Sequence, residues 1–240
     1  MSEPFLYQHL HLAHGQVRNL TAHLTLLDGA SQHLFGRAYC PEEKALSARI
    51  LALAAQEGYA SSPYSAFVRL EITPSGEERL IYLGGSLYEG YALRSIHPTG
   101  ATIPCNMPHP EAPTSAREAT SLLATAEAQR NGADLALCYD REGVLLSAEE
   151  APLFGIRGKN LYLGASYPNV ERFLLLQLLP QTGLVCASEP LSIDILPEME
   201  EIFFVDYRGI TALRSCNQIP LMVLLVERLA NAMERAFSNL

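Results

Sequence analysis

Two lysines, Lys44 and Lys159, stand against fifteen arginines among the 240 residues. A lysine amine can attack a carbonyl and form an imine, so any lysine-nucleophile mechanism has two candidates in the whole chain. Lys44 falls in a stretch with helix signals and Lys159 in the turn-like Arg157-Gly158-Lys159-Asn160; both read as solvated surface lysines. The seven histidines are His9, His11, His14, His23, His33, His97 and His109. His9 and His11 share one face of a strand and His14 follows in the turn, but a third ligand of known geometry is missing. They read as half-exposed strand histidines, and no metal is expected. Five cysteines, Cys40, Cys105, Cys138, Cys186 and Cys216, are widely spaced, odd in number and contain no Cys-x-x-Cys. They read as buried free thiols rather than a metal or disulfide framework. No Gly-x-Ser-x-Gly nucleophile elbow and no glycine-rich phosphate loop occurs.

Composition narrows the class. Hydrophobic residues make up 48% and charged residues 18%, the balance of a globular chain with a real core. A net charge of −9 argues against a nucleic-acid partner, which selects for a basic surface. No apolar run reaches the roughly 18 residues of a membrane span. The longest, Ile219 to Leu229, contains Pro220 and Glu227 and reads as part of a packed terminal helix over 219–237. The start, Met-Ser-Glu-Pro, lacks a charged-then-apolar signal pattern, so a cytoplasmic protein without membrane contact is expected.

The elements that must position any site follow from local patterns. Phe5–Leu12 suits a strand, with His14-Gly15-Gln16 turning it back through Val17–Leu20 as a hairpin. Thr21–Leu27 suits a short helix ending before Gly29. Pro41-Glu42-Glu43 opens a second helix that lines up Leu46, Ile50 and Leu53 and stops near Gly58. Strands are expected at Ala66–Ile72, Arg79–Leu83 and Tyr91–Ile96. Five of fifteen prolines fall between Pro98 and Pro113, which reads as an interdomain connection. Ser115-Ala116-Arg117-Glu118 has capping-box spacing and starts a helix to about Gly132. Hairpins at Leu135–Leu146 and Leu153–Leu163, a helix at Asn169–Leu179, and strands at Leu184–Ala187 and Glu201–Val205 complete the order. The expected fold is α+β in each half: an N-terminal domain over 1–105, a linker over 106–115 and a C-terminal domain over 116–240, with a cleft between them.

This order, together with the text of the second half, resembles the class IV aminotransferase family, the fold type IV pyridoxal-phosphate enzymes. That family includes branched-chain and D-amino-acid aminotransferases and aminodeoxychorismate lyase. "ATAEAQRNGADLALCYDREGVLLSAEEAPLFGIRGKNLYL" is similar to the family's helix, "GAD" strand, turn and serine-rich loop. "HGQVRNLTAHLTLL" looks like its "H-x-x-R-L" region, "YPNVERFLLLQLL" like "PGITR", and "EIFFVDYRGITALRS" like "EVFLTGTAAGVVPVRS".

The resemblance also carries expectations for the site. The family's imine-forming lysine lies eighteen residues before the "GAD" glycine; counting back from Gly132 lands on Thr114. The carboxylate at the pyridine nitrogen corresponds to Ser147, and the nearby Glu149 and Glu150 read as solvated loop acids. The phosphate arginine of "H-x-x-R" corresponds to Leu26, three residues after His23. In "PNVER", Arg172 is kept, whereas Glu171 stands at the helix start where the family binds phosphate and would repel it. The family's small "T-G-T-A" loop becomes Val205-Asp206-Tyr207-Arg208.

The resemblance therefore implies a degenerate member without the Schiff-base lysine, with no catalytic residue and no cofactor, binding a small molecule or partner as a homodimer. The alternative is an active pyridoxal-phosphate-dependent aminotransferase or aminodeoxychorismate-lyase-type enzyme. A third reading is a different enzyme using the old cleft, with Arg69, Tyr207, Arg208 and Glu171 as its polar groups.

Overall fold

The protein is described from a computed structural model covering residues 3–59, 64–88, 90–109 and 111–238. The chain divides into two compact units. One contains Met1–Gly90 and Glu111–Ser115; the other contains Tyr91–Pro110 and Ala116–Leu240.

Apolar residues at helical spacing build the first unit. Strand β1 (Leu6–Ala13) turns through His14-Gly15 into the short β2 (Gln16–Val17), as the glycine turn implies. Helix α1 (Leu20–Phe35) buries Leu20, Leu24, Leu27 and Ala30. It does not stop before Gly29. A helical glycine costs only about 1 kcal/mol relative to alanine, and burial of these leucines outweighs that. The helix ends instead at Gly36, whose left-handed φ of 64° lets its N–H reach the Gln32 carbonyl. Helix α2 (Glu43–Gln56) opens on the Glu42 side chain, which accepts from the Lys44 and Ala45 N–H groups at 3.1 and 2.6 Å. Strands β3 (Ser65–Ile72) and β4 (Glu78–Ser86) complete a sheet of order β2-β1-β3-β4. Leu6, Leu10, Leu12, Val68 and Leu70 meet Leu46 and Ile50 in its core.

The second unit departs from the sequence reading at its start. Tyr91–Ile96 is not a strand; it makes a single bridge, Leu93 to Ile210. The strand lies inside the proline-rich stretch, as β5 (Thr99–Pro104). Proline closes β5 at its last residue, where a missing N–H does least harm. Gly100 lets β5 pack closely, since a Cβ there would lie 2.4 Å from a Leu137 methyl. Pro110, counted in the same connection, lies outside the described residues.

Helix α3 (Ser115–Arg130) buries Arg117, Ser121, Ala124 and Ala128 along one stripe. Strand β6 (Leu135–Tyr139) pairs parallel with β5 and antiparallel with β7 (Leu145–Ala148). Then β8 (Ala151–Arg157) and β9 (Asn160–Leu163) form the expected hairpin. Helix α4 (Val170–Thr182) is followed by β10 (Val185–Cys186), and β11 (Glu201–Asp206) and β12 (Gly209–Ala212) form a hairpin around Tyr207-Arg208.

The terminal helix begins later than its apolar run suggests. Ile219–Pro220 form β14, paired with β13 (Ser215–Cys216), and helix α5 spans Leu225–Ser238. Its start is set by Glu201 on β11, a buried carboxylate accepting from the Leu225 and Val226 N–H groups at 2.7 and 2.9 Å. The sheet order is β10-β9-β8-β7-β6-β5-β13-β14, with β11 against β8. Among the described residues no helix is long and apolar enough to cross a membrane.

Candidate functional site

Four segments of the second unit bring ionisable groups together. The first is the start of α4. Asn169 caps it, its side chain accepting from the Arg172 N–H at 3.0 Å. Two residues on, Glu171 is buried, 4% exposed. Its carboxyl is pushed up to about 7, chiefly by burial; hydrogen bonds to its own N–H, Tyr91 and Asn169 oppose the rise, while Asp206 adds to it. The Tyr91 hydroxyl donates to Oε1 at 3.5 Å.

The second segment is the β11–β12 turn. Asp206 Oδ1 accepts from the Arg208 N–H at 2.8 Å, and Oδ2 accepts from Arg208 Nε at 2.8 Å. Arg208 Nη2 reaches Glu149 Oε2 at 2.8 Å. Burial works against the Arg208 charge, but Asp206 and Glu149 outweigh it and hold the guanidinium protonated. Burial raises the pKa of the neighbouring Tyr207 hydroxyl. Gly209 has φ +124°, and a Cβ there would stand 2.4 Å from the Ala92 carbonyl oxygen. That close approach seats the Tyr91–Arg94 segment, from which Arg94 Nη1 donates to Thr211 Oγ1 at 3.1 Å.

The third segment is the β7–β8 turn, where Glu149 and Glu150 both take left-handed φ values, 46° and 65°. Glu149 is exposed. Glu150 is not the solvated loop acid its sequence position suggests: it is 8% exposed, and burial pushes its carboxyl up to about 8. Its Oε1 and the fully buried Ser147 Oγ make no hydrogen bond among the described residues. The fourth segment is the first turn of α3, where Arg117, 2% exposed, lays its guanidinium 4.9 Å from the Tyr167 ring centroid. Burial raises the pKa of Tyr167, with Glu150 and Glu171 adding and Arg117 opposing. Glu150, Arg117, Glu171 and Asn169 thus surround one buried phenol.

The residues singled out from the sequence divide between the units. Ser147, Glu171, Arg172, Tyr207 and Arg208 belong to the second. Arg172 serves its own loop, donating from Nη1 to the Gly164 carbonyl at 2.7 Å. Thr114, Leu26 and Arg69 belong to the first. Thr114 is buried and bridged to Leu6, and Leu26 is half-buried on α1. Arg69 pairs with Glu71 at 2.9 Å and stacks 4.1 Å from the Tyr7 ring centroid. Lys44 on α2 and Lys159 in the β8–β9 turn are exposed. Among the histidines, His11 Nε2 lies 2.7 Å from Ser65 Oγ and His23 Nδ1 lies 2.8 Å from Gln8 Oε1, both pairs buried. Among the described residues no group of three or more His, Cys, Asp or Glu could hold a metal ion.

Sequence reasoning missed Arg117, Glu150, Tyr167 and Tyr91. One signal was available: Arg117 opens the stripe completed by Ser121, Ala124 and Ala128, so helical spacing places a cation on the buried face.

The fold has close counterparts among solved structures. A branched-chain aminotransferase from the archaeon Thermoproteus uzoniensis, solved with norvaline, superimposes with a TM-score of 0.80 at 15% identity, covering 98% of this chain and 86% of that one. An aminotransferase from Brucella abortus bound to pyridoxal phosphate gives 0.76 at 17% identity, with 98% and 89% covered. The branched-chain amino acid aminotransferase of Escherichia coli gives 0.76 at 17%, with 98% and 85% covered. Among curated proteins none matches by sequence. The family model described as amino-transferase class IV matches residues 6–215. With most of its length under that model and its fold shared with these structures, the chain belongs to the class IV aminotransferase family.

Proposed function

We propose that this chain is a class IV aminotransferase-like protein that does not run pyridoxal-phosphate chemistry and instead binds a small molecule or a partner, as a homodimer. Pyridoxal phosphate, where a protein holds it, supplies an electron sink next to an imine. Holding it takes an amine, a carboxylate at the ring nitrogen and donors for the phosphate. The residues present do not fit these demands.

The observation that carries the reading is the placement of the amines. Both lysines of the chain are exposed, one on α2 and one in a hairpin turn. Thr114, at the position the resemblance gives to the lysine, has a hydroxyl that cannot form an imine. The phosphate requirement fails in the same direction: a buried carboxyl, Glu171, occupies the start of α4, where an anion would have to sit. Ser147 offers no charge to a ring nitrogen, and Glu150, a buried carboxyl three residues on, is held largely protonated near neutral pH. Arg208 is already engaged by Asp206 and Glu149. The homodimer follows the oligomeric habit of class IV aminotransferases.

The competing reading is an active enzyme, favoured by the Brucella abortus relative bound to pyridoxal phosphate. An absorbance spectrum separates the two. Protein incubated with excess pyridoxal phosphate and then dialysed is expected to keep no absorbance beyond its aromatic band. A retained visible band, bleached by an amino-acid substrate, would overturn the proposal.

A further inference from the structure

Cysteines 33 positions apart meet in the second unit. Cys105 lies one residue beyond β5, where its N–H donates to the Tyr139 carbonyl at 2.8 Å. Cys138 lies within β6, paired with Ile103 in the parallel ladder. Their sulfur atoms lie 2.7 Å apart, inside the van der Waals separation of two thiols. Cys138 is 1% exposed, walled by Ile103, Met107, Ala124, Ala128 and Ala136; Cys105 is half-buried at the margin of that cluster. The wide spacing that argued against a disulfide is thus overcome by the β5–β6 pairing.

We propose that Cys105 and Cys138 are a thiol pair built to close into an intramolecular disulfide, with Cys105 the attacking and Cys138 the resolving thiol. The asymmetry of burial assigns the roles, because a small oxidant can reach Cys105 first. With a low-molecular-weight disulfide as oxidant, the Cys105 thiolate attacks one of its sulfurs. The reagent's S–S bond breaks, and one thiol leaves with a proton. Cys138 then gives up its proton and attacks the Cys105 sulfur of the mixed disulfide, expelling the second thiol. Two protein thiols are oxidised, one reagent disulfide is reduced, and two small thiols are released.

The electrostatics agree with the geometry. The contact with Cys138 favours the Cys105 thiolate, with burial opposing, while the same contact and burial push Cys138 up. The loop so closed contains residues 111–115, which cluster with the first unit, and all of α3. The cross-link would therefore tie down the chain's passage between its two units.

The test exposes the native full chain to oxidised glutathione, alkylates the remaining thiols and maps peptides without reduction. The expected result is a linked pair of peptides carrying Cys105 and Cys138, loss of two of the five alkylatable thiols, and a thermal midpoint raised by roughly 5–10 °C, reversed by dithiothreitol. Cys105→Ser should abolish both the link and the shift. Cys138→Ser should stop at a mixed disulfide on Cys105; if that buried variant fails to fold, the wild-type map and Cys105→Ser still decide. Alkylation of both cysteines after oxidation, a cross-link to Cys40 or Cys186 instead, or a lowered midpoint would overturn the proposal.

Discussion

Replacing Glu150 by glutamine should stabilise the protein by an amount that grows as pH rises from 4.5 and levels off above 8. The carboxyl is buried in the β7–β8 turn, and its Oε1 has no hydrogen-bond partner among the described residues. Its folded-state value near 8 lies well above the ordinary 4.5, so between those values the folded state holds a proton that the unfolded state has released. For a carboxyl raised in this way, stability is fully present below pH 4.5 and is lost as pH rises through 8. The full difference corresponds to about 4–5 kcal/mol as a ceiling, and water penetration and relaxation bring the expected effect to roughly 3 kcal/mol. Glutamine keeps the shape and cannot ionise. Thermal unfolding followed by circular dichroism should give nearly equal midpoints for Glu150→Gln and wild type at pH 4.5. At pH 9 the variant should melt roughly 6–12 °C higher. An equal offset at both pH values would refute the reasoning, because it would trace the effect to packing rather than to the buried proton.

The remaining expectations follow the same logic. Glu171→Gln should show the same sign with a smaller gain, since its carboxyl rises only to about 7, and a scan from pH 5 to 9 checks it. Gly209→Ala should destabilise by about 3 kcal/mol in urea titrations, because a Cβ would clash with the Ala92 carbonyl and φ +124° disfavours any side chain. Arg208→Ala should cost about 2 kcal/mol by leaving the buried Asp206 carboxylate without its guanidinium, measured the same way. In the first unit, burial depresses His11 to about 4 and His23 to about 3, so stability there is present above pH 6.5 and is lost as pH falls through those values. Hydrogen exchange of the β1 and β3 amides, corrected for intrinsic rate, should report more frequent opening below pH 6.

How much of this was legible in the sequence depended on how local each cause is. The α2 start was legible because its cap, Glu42, lies beside the helix it serves. The β8–β9 hairpin was legible from its four-residue turn. The α5 start was not, because its cap is Glu201, twenty-four residues upstream on another element. Strand β5 hid among prolines because its reason to exist is long-range pairing with β6 and β13. The same division holds for the site. The correspondences proposed for Thr114, Ser147, Leu26 and Glu171 rest on matching text alone. Helical spacing gave a signal for a buried Arg117, but its gathering with Glu150 around Tyr167 was not legible, since that arises from the meeting of α3, the β7–β8 turn and the start of α4. The Cys105–Cys138 pair escaped for that reason too.

The central claim is that the chain offers pyridoxal phosphate no amine at a binding site. Borohydride trapping tests it most directly: incubate the protein with excess pyridoxal phosphate, reduce, and map the adducts by mass spectrometry. Weak, substoichiometric labelling shared among Lys44, Lys159 and the amino terminus is the expected result. A single stoichiometric adduct on Lys44 or Lys159, with transaminase or lyase activity that disappears on replacing that lysine by alanine, would contradict the account.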